Sequence, residues 1–339
     1  MTARGKRYHL SVVVFLCVFG ALLTTATFFD LEFSRILTHF SLKEGAYYTN
    51  DVFANFFEAA GMLPHYLLRA FSALSLGWFF YKFLSQKMLR IIALVAAAAL
   101  ATHLLSGAFR DAIFYPMRHM IAEDAKKALV AINAMTPTVY FISYAASAAV
   151  VGLAVYLTRN VSFDVWRRLL FFVFLYFLID VISGEIVSAV KGYVDRPRFR
   201  SMNSAYGQEV GGFSLYARWY QVSGNNALLR ATPLANYTDA FRSFPSGHTE
   251  AAALSYSLIL LIDCLQIEKK NVKLALWTTP IAWTGLTAIG RIVAGAHFMS
   301  DVLIGGTIPF VLTMLLREIF LRRLSGVKEM YPFLTKHKE

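Results

Sequence analysis

Residues 165–190 read VWRRLLFFVFLYFLIDVISGEIVSAV and are followed directly by the charged sequence KGYVDRPR at 191–198. An apolar run of about 20 residues is long enough to cross the hydrocarbon core of a bilayer as an α-helix. The stretch therefore predicts a membrane-spanning helix, and similar stretches recur along the chain. The predicted spans are residues 8–29, 62–83, 88–109, 136–158, 165–190, 249–267, 274–294 and 299–321. The expected fold class is an all-α, polytopic membrane helix bundle with about eight transmembrane helices.

The composition agrees with a membrane protein, because 57% of the 339 residues are hydrophobic and only 16% are charged. The net charge of +12 does not indicate a nucleic-acid partner, since most Lys and Arg residues lie in short segments between apolar blocks. Cys17 and Cys264 lie within or at the edge of apolar blocks. We therefore expect no disulfide and no thiolate zinc site.

Basic residues also predict how the chain is oriented. Every segment that we place on the inner side is basic, including both termini, whereas the outer segment 30–61 is net acidic. By the positive-inside rule, both termini are cytoplasmic. We expect an integral protein of the plasma (inner) membrane of a bacterium, with a long loop at 191–248 and a short connection at 291–298 on the outer, periplasmic face.

Three short motifs lie at the outer ends of consecutive spans, and the third has a direct chemical interpretation. In Arg291-x5-His297-x3-Asp301, the last two residues are four positions apart and share one face of a helix that begins there. A carboxylate beside an imidazole fixes its tautomer and leaves the other ring nitrogen as a nucleophile. Arg291 can hold a phosphoryl group with its planar fork of N–H donors. The motif predicts His297 as the nucleophile and Asp301 as its partner.

The second motif is Pro245-Ser246-Gly247-His248, at the start of the sixth predicted span. Backbone N–H groups of Ser246 and Gly247 at a helix start, together with the Ser246 hydroxyl, are suited to binding phosphate oxygens. His248 is suited to protonating a leaving oxygen and afterwards to activating water. The motif therefore predicts phosphate-binding groups and a general acid and base.

The first motif, KGYVDRPR, adds cationic side chains. Lys191 and Arg198 are expected phosphate ligands, and Arg196 is a further candidate. Phosphoryl transfer requires positive charge around the equatorial oxygens, part of which Mg²⁺ supplies in many enzymes. The outer segments contain no clustered carboxylates that resemble a Mg²⁺ site, so we expect no metal and no other cofactor. The alternative role for Lys191 and Arg198 is to anchor a helix end at the membrane surface.

These motifs resemble those of the type 2 phosphatidic acid phosphatase (PAP2) superfamily, whose pattern is K-x6-RP, then PSGH, then SR-x5-H-x3-D. The resemblance covers roughly residues 165–322 and implies a PAP2-type phosphatase core with the same residue roles. The chain departs from the pattern twice, with Phe199 where Pro is expected and Gly290 where Ser is expected. The resemblance implies a membrane-bound lipid phosphatase that forms a phosphohistidine intermediate.

We predict three regions along the chain. They are N-terminal transmembrane helices with outer loops at 1–134, a PAP2-like core at 135–325 and a cytoplasmic tail at 326–339. The expected function is hydrolysis of a lipid phosphate or a lipid-linked pyrophosphate, drawn from the surrounding membrane lipids, at the outer membrane face. No oligomeric state is predicted.

Two other functions stay open at this point. The same phosphohistidine can pass its phosphoryl group to a second lipid, which would make the protein a lipid phosphotransferase. A transporter would instead use the charges of Arg69, Asp180 and Glu185 within the predicted spans, but it would leave the three motifs unexplained. A structural ion pair with Arg69 is an equally reasonable role for either carboxylate.

Overall fold

The computed structural model describes residues 3–120, 125–222, 226–236 and 239–323. The predicted all-α class is confirmed, because these ranges form helices and no strand. A single isolated bridge pairs Gly45 with Ser204. The predicted tail at 326–339 lies outside the described residues.

Most of the chain forms long helices, and the short helices lie mainly between residues 199 and 264. In order, the α-helices are α1 (Ala3–Thr38), α2 (Val52–Ala60), α3 (Leu63–Phe83), α4 (Lys87–Met120), α5 (Ala125–Thr158), α6 (Phe163–Val194), α7 (Phe199–Asn203), α8 (Ala205–Glu209), α9 (Asn226–Arg230), α10 (Gly247–Ala253), α11 (Leu260–Cys264), α12 (Lys270–Val293) and α13 (Met299–Leu316). The 3₁₀-helices are Gly212–Leu215, Pro233–Asn236 and Leu254–Ile259, and a π-helix follows α13 at Arg317–Arg323.

Five segments of the described chain are long and apolar enough to cross a membrane, so the predicted count of eight is not confirmed. The predicted span 249–267 is divided among α10, a 3₁₀-helix and α11, so no single helix fills it. Helices α3 and α12 are long, but charged residues such as Arg69 and Lys273 lower their mean hydropathy. The five segments are Val12–Thr38, Lys87–Met117, Met135–Thr158, Phe163–Asn203 and Met299–Leu321.

The chain forms two compact units, neither of which is continuous in sequence. The first unit contains residues 1–51, 188–246 and 291–305, and the second contains residues 52–187, 247–290 and 306–339. The predicted boundary between residues 134 and 135 falls inside the second unit. That boundary stays a prediction.

Aromatic and aliphatic side chains, mostly from α3 and α6, form the main core of the second unit. The rings of Trp78 and Trp166 stack with their centroids 6.1 Å apart, and the Trp78 indole donates to the Thr158 hydroxyl at 2.8 Å. Helices in a bilayer associate through close packing rather than through the hydrophobic effect. Accordingly, Gly77 of α3 lies so near Ala97 of α4 that a Cβ at Gly77 would clash with the alanine methyl.

Two of the three charges within the predicted spans form an ion pair in the second unit. Arg69 donates to both oxygens of Asp180, at 2.7 Å from Nε and 3.1 Å from Nη2. The ring of His65 adds a contact of 3.5 Å to the same carboxylate, while Glu185 is exposed. Charges inside a bilayer are costly unless they are paired, so the Arg69–Asp180 pair has a structural explanation that does not require a transport pathway.

The long predicted outer loop is packed around its own core in the first unit. Among its buried apolar residues, Phe199 packs against Phe213 with ring centroids 4.7 Å apart and the rings tilted by 41°. The backbone N–H of Arg200 donates to the carbonyl of Gly295 at 2.8 Å. The buried residues of this core are Leu42, Phe199, Met202, Leu215, Leu229, Leu234, Ala240, Phe241 and Phe298. The first and third motifs are therefore held in the same unit.

Candidate active site

The spacing between Arg291 and His297 follows from the way α12 ends. Gly295 has a φ of +61°. Its N–H donates to the carbonyl of Ile292 at 2.8 Å, and the N–H of Ala296 donates to the carbonyl of Arg291 at 3.1 Å. These two bonds form a Schellman motif, in which a left-handed residue, usually Gly, ends the helix. The Arg291 carbonyl also accepts the N–H of His297 at 3.3 Å, so one tight turn holds both residues.

The first turn of α13 fixes the carboxylate of Asp301, which is fully buried. Oδ2 accepts the backbone N–H of Phe298, the residue before the helix, at 2.8 Å, as an acidic third helical residue commonly does. Oδ2 also accepts the hydroxyl of Ser243 at 2.5 Å, and Oδ1 accepts Nη1 of Arg196 at 2.6 Å. Donors from three separate parts of the chain thus hold Asp301 in place.

His297 makes its shortest contact with a backbone carbonyl and not with Asp301. Its Nδ1 donates to the carbonyl oxygen of Ser243 at 2.6 Å and lies 3.6 Å from Oδ2 of Asp301. Because a carbonyl only accepts, this bond requires the proton on Nδ1, and Nε2 carries the lone pair of the neutral ring. Ser243 was not predicted from the sequence, since a backbone carbonyl has no side-chain signature.

Lys191 and Arg198 of the first motif meet at one carbonyl oxygen. Lys191 Nζ donates to the carbonyl of Arg242 at 3.1 Å, and Arg198 Nη2 donates to the same oxygen at 3.5 Å. Arg198 also donates to the carbonyls of Asp239 at 2.6 Å and Ala296 at 3.2 Å. The structure thus brings two of the predicted phosphate ligands together, and it places Arg198 against the residue that precedes His297.

Arg196 has a different environment, because it is fully buried and every N–H of its guanidinium has a protein acceptor. A guanidinium has five N–H donors. Nε of Arg196 donates to the Ala217 carbonyl at 2.8 Å. Nη1 donates to Ser300 Oγ at 2.9 Å and to Asp301 Oδ1 at 2.6 Å. Nη2 donates to Asp30 Oδ2 and to the Tyr216 hydroxyl, both at 3.1 Å. Burial raises the pKa of the Tyr216 phenol, which therefore stays neutral. This environment favours a structural role for Arg196 over binding phosphate.

Ser246 of the second motif lies in the first unit and is fully buried. Its backbone N–H, predicted to bind phosphate, donates to the backbone carbonyl of Asp301 at 2.9 Å. The preceding peptide bond, Phe244–Pro245, is cis. Gly305 of α13 packs against this segment, and a Cβ at Gly305 would clash with the Ser246 carbonyl.

Gly247 and His248 lie in the second unit, where they begin α10. The ring of Tyr115, on α4, meets the imidazole of His248 at a steep angle, with 5.7 Å between the ring centroids. On the same short helix, Glu250 accepts the hydroxyl of Ser183. Tyr115 lies well before the three motifs in the chain, so their pattern contains no signal for its contact with His248.

Both departures from the family pattern have a packing explanation. Phe199 is the first residue of α7, a position at which Pro is favoured because the N–H has no helical partner. Here the position carries a phenyl ring buried against Phe213 and Phe298. Gly290 packs on α2, and a Cβ at this position would lie 2.7 Å from the Cβ of Phe57. A serine has no room there.

Among the residues that the structure describes, no group of three or more His, Cys, Asp or Glu side chains gathers as a metal site would. The expectation that no metal takes part stays a prediction.

A comparison with protein-family models identifies one family. The model of the PAP2 superfamily matches residues 169–325, a little under half of the chain. No match was found among curated proteins or among solved structures. The matched segment contains all three motifs and each predicted site residue. The predicted resemblance to the PAP2 superfamily is therefore confirmed over residues 169–325.

Proposed function

We propose that the protein hydrolyses a lipid phosphate or a lipid-linked pyrophosphate through a phosphohistidine intermediate. The match to the PAP2 superfamily and the apolar helices support a phosphatase-type function in a membrane protein. The observation that carries the finer proposal is the bond from His297 Nδ1 to the Ser243 carbonyl at 2.6 Å. This bond assigns the lone pair of the neutral imidazole to Nε2, the nitrogen that acts as the nucleophile.

The proposed reaction has two steps. In the first, Nε2 of His297 attacks phosphorus, the P–O bond to the leaving group breaks, and His248 donates a proton to the leaving oxygen. The positive charge on the phosphorylated ring is stabilised by Asp301 and by the Ser243 carbonyl. In the second step, water attacks phosphorus and gives a proton to His248, while the P–N bond breaks and its electron pair returns to Nε2 of His297. Inorganic phosphate then leaves, and His297 returns to its neutral form.

The proposed phosphate ligands are the side chains of Lys191, Arg198 and Arg291, the hydroxyl of Ser246 and the backbone of Gly247. Lys191 and Arg198 share the Arg242 carbonyl as an acceptor. A phosphate oxygen carries negative charge and is a stronger acceptor than a carbonyl, so the substrate can take over these donors. We propose that these cations supply the positive charge that Mg²⁺ supplies in other phosphoryl-transfer enzymes.

We further propose that the site faces the periplasm and that both termini are cytoplasmic. The support is the distribution of Lys and Arg between the apolar blocks. Substrates on this side are the head groups of lipids in the outer leaflet. A site that is reached from the membrane surface favours a lipid over a soluble phosphate ester.

Phosphate release from a panel of phosphorylated lipids, in excess EDTA, tests the proposal. We expect the purified protein to release phosphate and His297→Ala to lose at least about a thousandfold in kcat. The matched control is His39→Ala, because His39 is an exposed histidine of the first unit.

Each other outcome rejects one part of the proposal. Release that is unchanged in His297→Ala would reject the nucleophile, and release that stops in EDTA would reject metal independence. Phosphoryl transfer to an added acceptor lipid without free phosphate would favour the phosphotransferase alternative. Transport of a lipid or an ion that survives His297→Ala would favour the transporter.

A further inference from the structure

We infer that Asp30, on the N-terminal helix α1, is a positioning residue for the carboxylate of Asp301, and that it acts through Arg196 and Ser300. The inference rests on the proposed function, in which Asp301 stabilises the charged ring of His297. Asp30 lies far outside the segment 169–325 that matches the family model, so the family match does not include it.

Both carboxylate oxygens of Asp30 are used, and the side chain is only 1% exposed. Oδ1 accepts the backbone N–H of Ser300 at 2.8 Å. Oδ2 accepts the hydroxyl of Ser300 and Nη2 of Arg196 at 3.1 Å. A group that accepts from three donors has the pattern of an ionised carboxylate. A residue of α1 is thereby bonded directly to the first turn of α13.

Arg196 joins this carboxylate to the one beside His297. Its Nη2 donates to Asp30, while its Nη1 donates to Asp301 at 2.6 Å. The two ends of one rigid, planar fork are thus held by two different carboxylates. Ser300 strengthens the link, because its Oγ accepts Nη1 of Arg196 at 2.9 Å while it donates to Asp30. The guanidinium therefore has a defined orientation, and so does the Asp301 oxygen that it binds.

The charges of the cluster give Asp30 a second effect. Arg196 and Asp301 alone would form a neutral pair beside His297. With Asp30 ionised, the three side chains carry a net charge of −1, so the negative charge of Asp301 is not cancelled by its arginine. Burial reduces screening by water and strengthens this effect. A preorganised negative charge stabilises the positive ring of His297 as the phosphohistidine forms.

The alternative is that Asp30 only neutralises a buried arginine and supports folding. A purely structural role would reduce the amount of folded protein and leave the properties of the remaining folded sites unchanged. The positioning role changes His297 in protein that is folded. The two roles therefore differ in the behaviour of the folded protein.

The main test compares Asp30→Asn with Glu32→Gln in the full-length protein in detergent. Both substitutions remove one negative charge from α1, but Glu32 is exposed. We expect Asp30→Asn to lower kcat about 10- to 100-fold, as loss of a group that orients a reactive residue does, and to change KM by less than about threefold. Glu32→Gln is expected to match the wild type.

A spectroscopic measurement needs no substrate. In protein labelled with ¹⁵N-histidine, the ring signal of His297 is identified by its absence in His297→Gln. We expect its Nδ1–H signal to shift or broaden in Asp30→Asn and to stay unchanged in Glu32→Gln. If the wild type releases no phosphate from any lipid, the proposed function fails, whereas this measurement still decides whether Asp30 acts on His297.

A milder variant covers the case in which Asp30→Asn does not fold. Ser300→Ala removes one hydroxyl from the link and leaves all three charges. We expect kcat to fall about two- to tenfold, the range expected from one hydrogen bond, together with a shift of the same His297 signal. The inference would be overturned if folded Asp30→Asn kept both the wild-type His297 signal and the wild-type kcat. If Asp30→Asn does not fold, the same result in Ser300→Ala would overturn it.

Discussion

Two arginines of the first motif, Arg196 and Arg198, are separated by one proline and have different kinds of partners. Arg196 donates to two fully buried carboxylates, so its charge is compensated inside the protein. Arg198 donates to backbone carbonyls, and its nearest carboxylate, Asp239, is 3.9 Å away. A carbonyl carries no full charge, so Arg198 retains more of its attraction for an anion. This difference assigns the proposed phosphate-binding role to Arg198.

Substituting each arginine by Gln separates the two roles. Arg196→Gln leaves Asp30 and Asp301 buried without their cation, so we expect the free energy of unfolding to fall by about 3–5 kcal/mol. We expect Arg198→Gln to lower the temperature of thermal unfolding less than Arg196→Gln does. When only folded protein is compared, we expect Arg198→Gln to lower kcat/KM more than Arg196→Gln does. Thermal unfolding in detergent and phosphate release measure the two effects. Equal behaviour of the variants in both assays would contradict the assignment.

At the scale of helices and loops, one close contact places the PSGH segment. Gly305 of α13 allows the backbone of Ser246 to approach so closely that any side chain at this glycine would displace it. The N–H of Ser246 then reaches the carbonyl of Asp301 at 2.9 Å. Ser246 is therefore joined to the third motif by main-chain contacts that depend on the absence of a methyl group at Gly305.

Gly305→Ala tests this contact, and Gly152→Ala is its control. A Cβ at Gly152, on α5, meets no atom within 4 Å, so the control is expected to keep wild-type activity. Displacement of a reactive group by about 1 Å can cost about a hundredfold in rate, and we expect kcat/KM of Gly305→Ala to fall at least about tenfold. Wild-type phosphate release by Gly305→Ala would show that the position of Ser246 is not critical.

At the scale of the whole molecule, the N-terminal helices contribute more than additional membrane spans. Asp30 of α1 is bonded to Arg196, Phe57 of α2 fills the space beside Gly290, and Tyr115 of α4 contacts His248. Each contact lies within a single compact unit and joins a residue outside the family match to one inside it. The helices before residue 169 thus support residues of the matched segment.

The proposed orientation can be tested by labelling single cysteines. Cys17 and Cys264 are first replaced, because both are free thiols. A new cysteine is then placed at exposed Gln221, in the predicted outer loop, or at exposed Lys269, in a predicted inner connection. We expect a membrane-impermeant maleimide to label Gln221→Cys in intact spheroplasts and Lys269→Cys only after lysis. The opposite pattern would place the site on the cytoplasmic side.

Helical class, the approximate positions of most helices and the order of the three motifs could be predicted from the sequence, because these features depend on local information. The length of an apolar run determines whether a helix can span a bilayer. The spacing from Arg291 to Asp301 determines which side chains share a turn. For the same reason, Lys191, Arg198, His248 and His297 could be selected without a structure.

Only the tertiary structure decided which groups surround these residues. The bond from His297 to Ser243 joins positions 54 residues apart, and the bond from Arg196 to Asp30 joins positions 166 apart. A carbonyl acceptor has no sequence signature, and the position of Asp30 within a long apolar helix does not reveal its partner. The Arg196 side chain points towards two buried carboxylates because distant segments meet around it. The spacing of residues within a motif cannot specify such contacts.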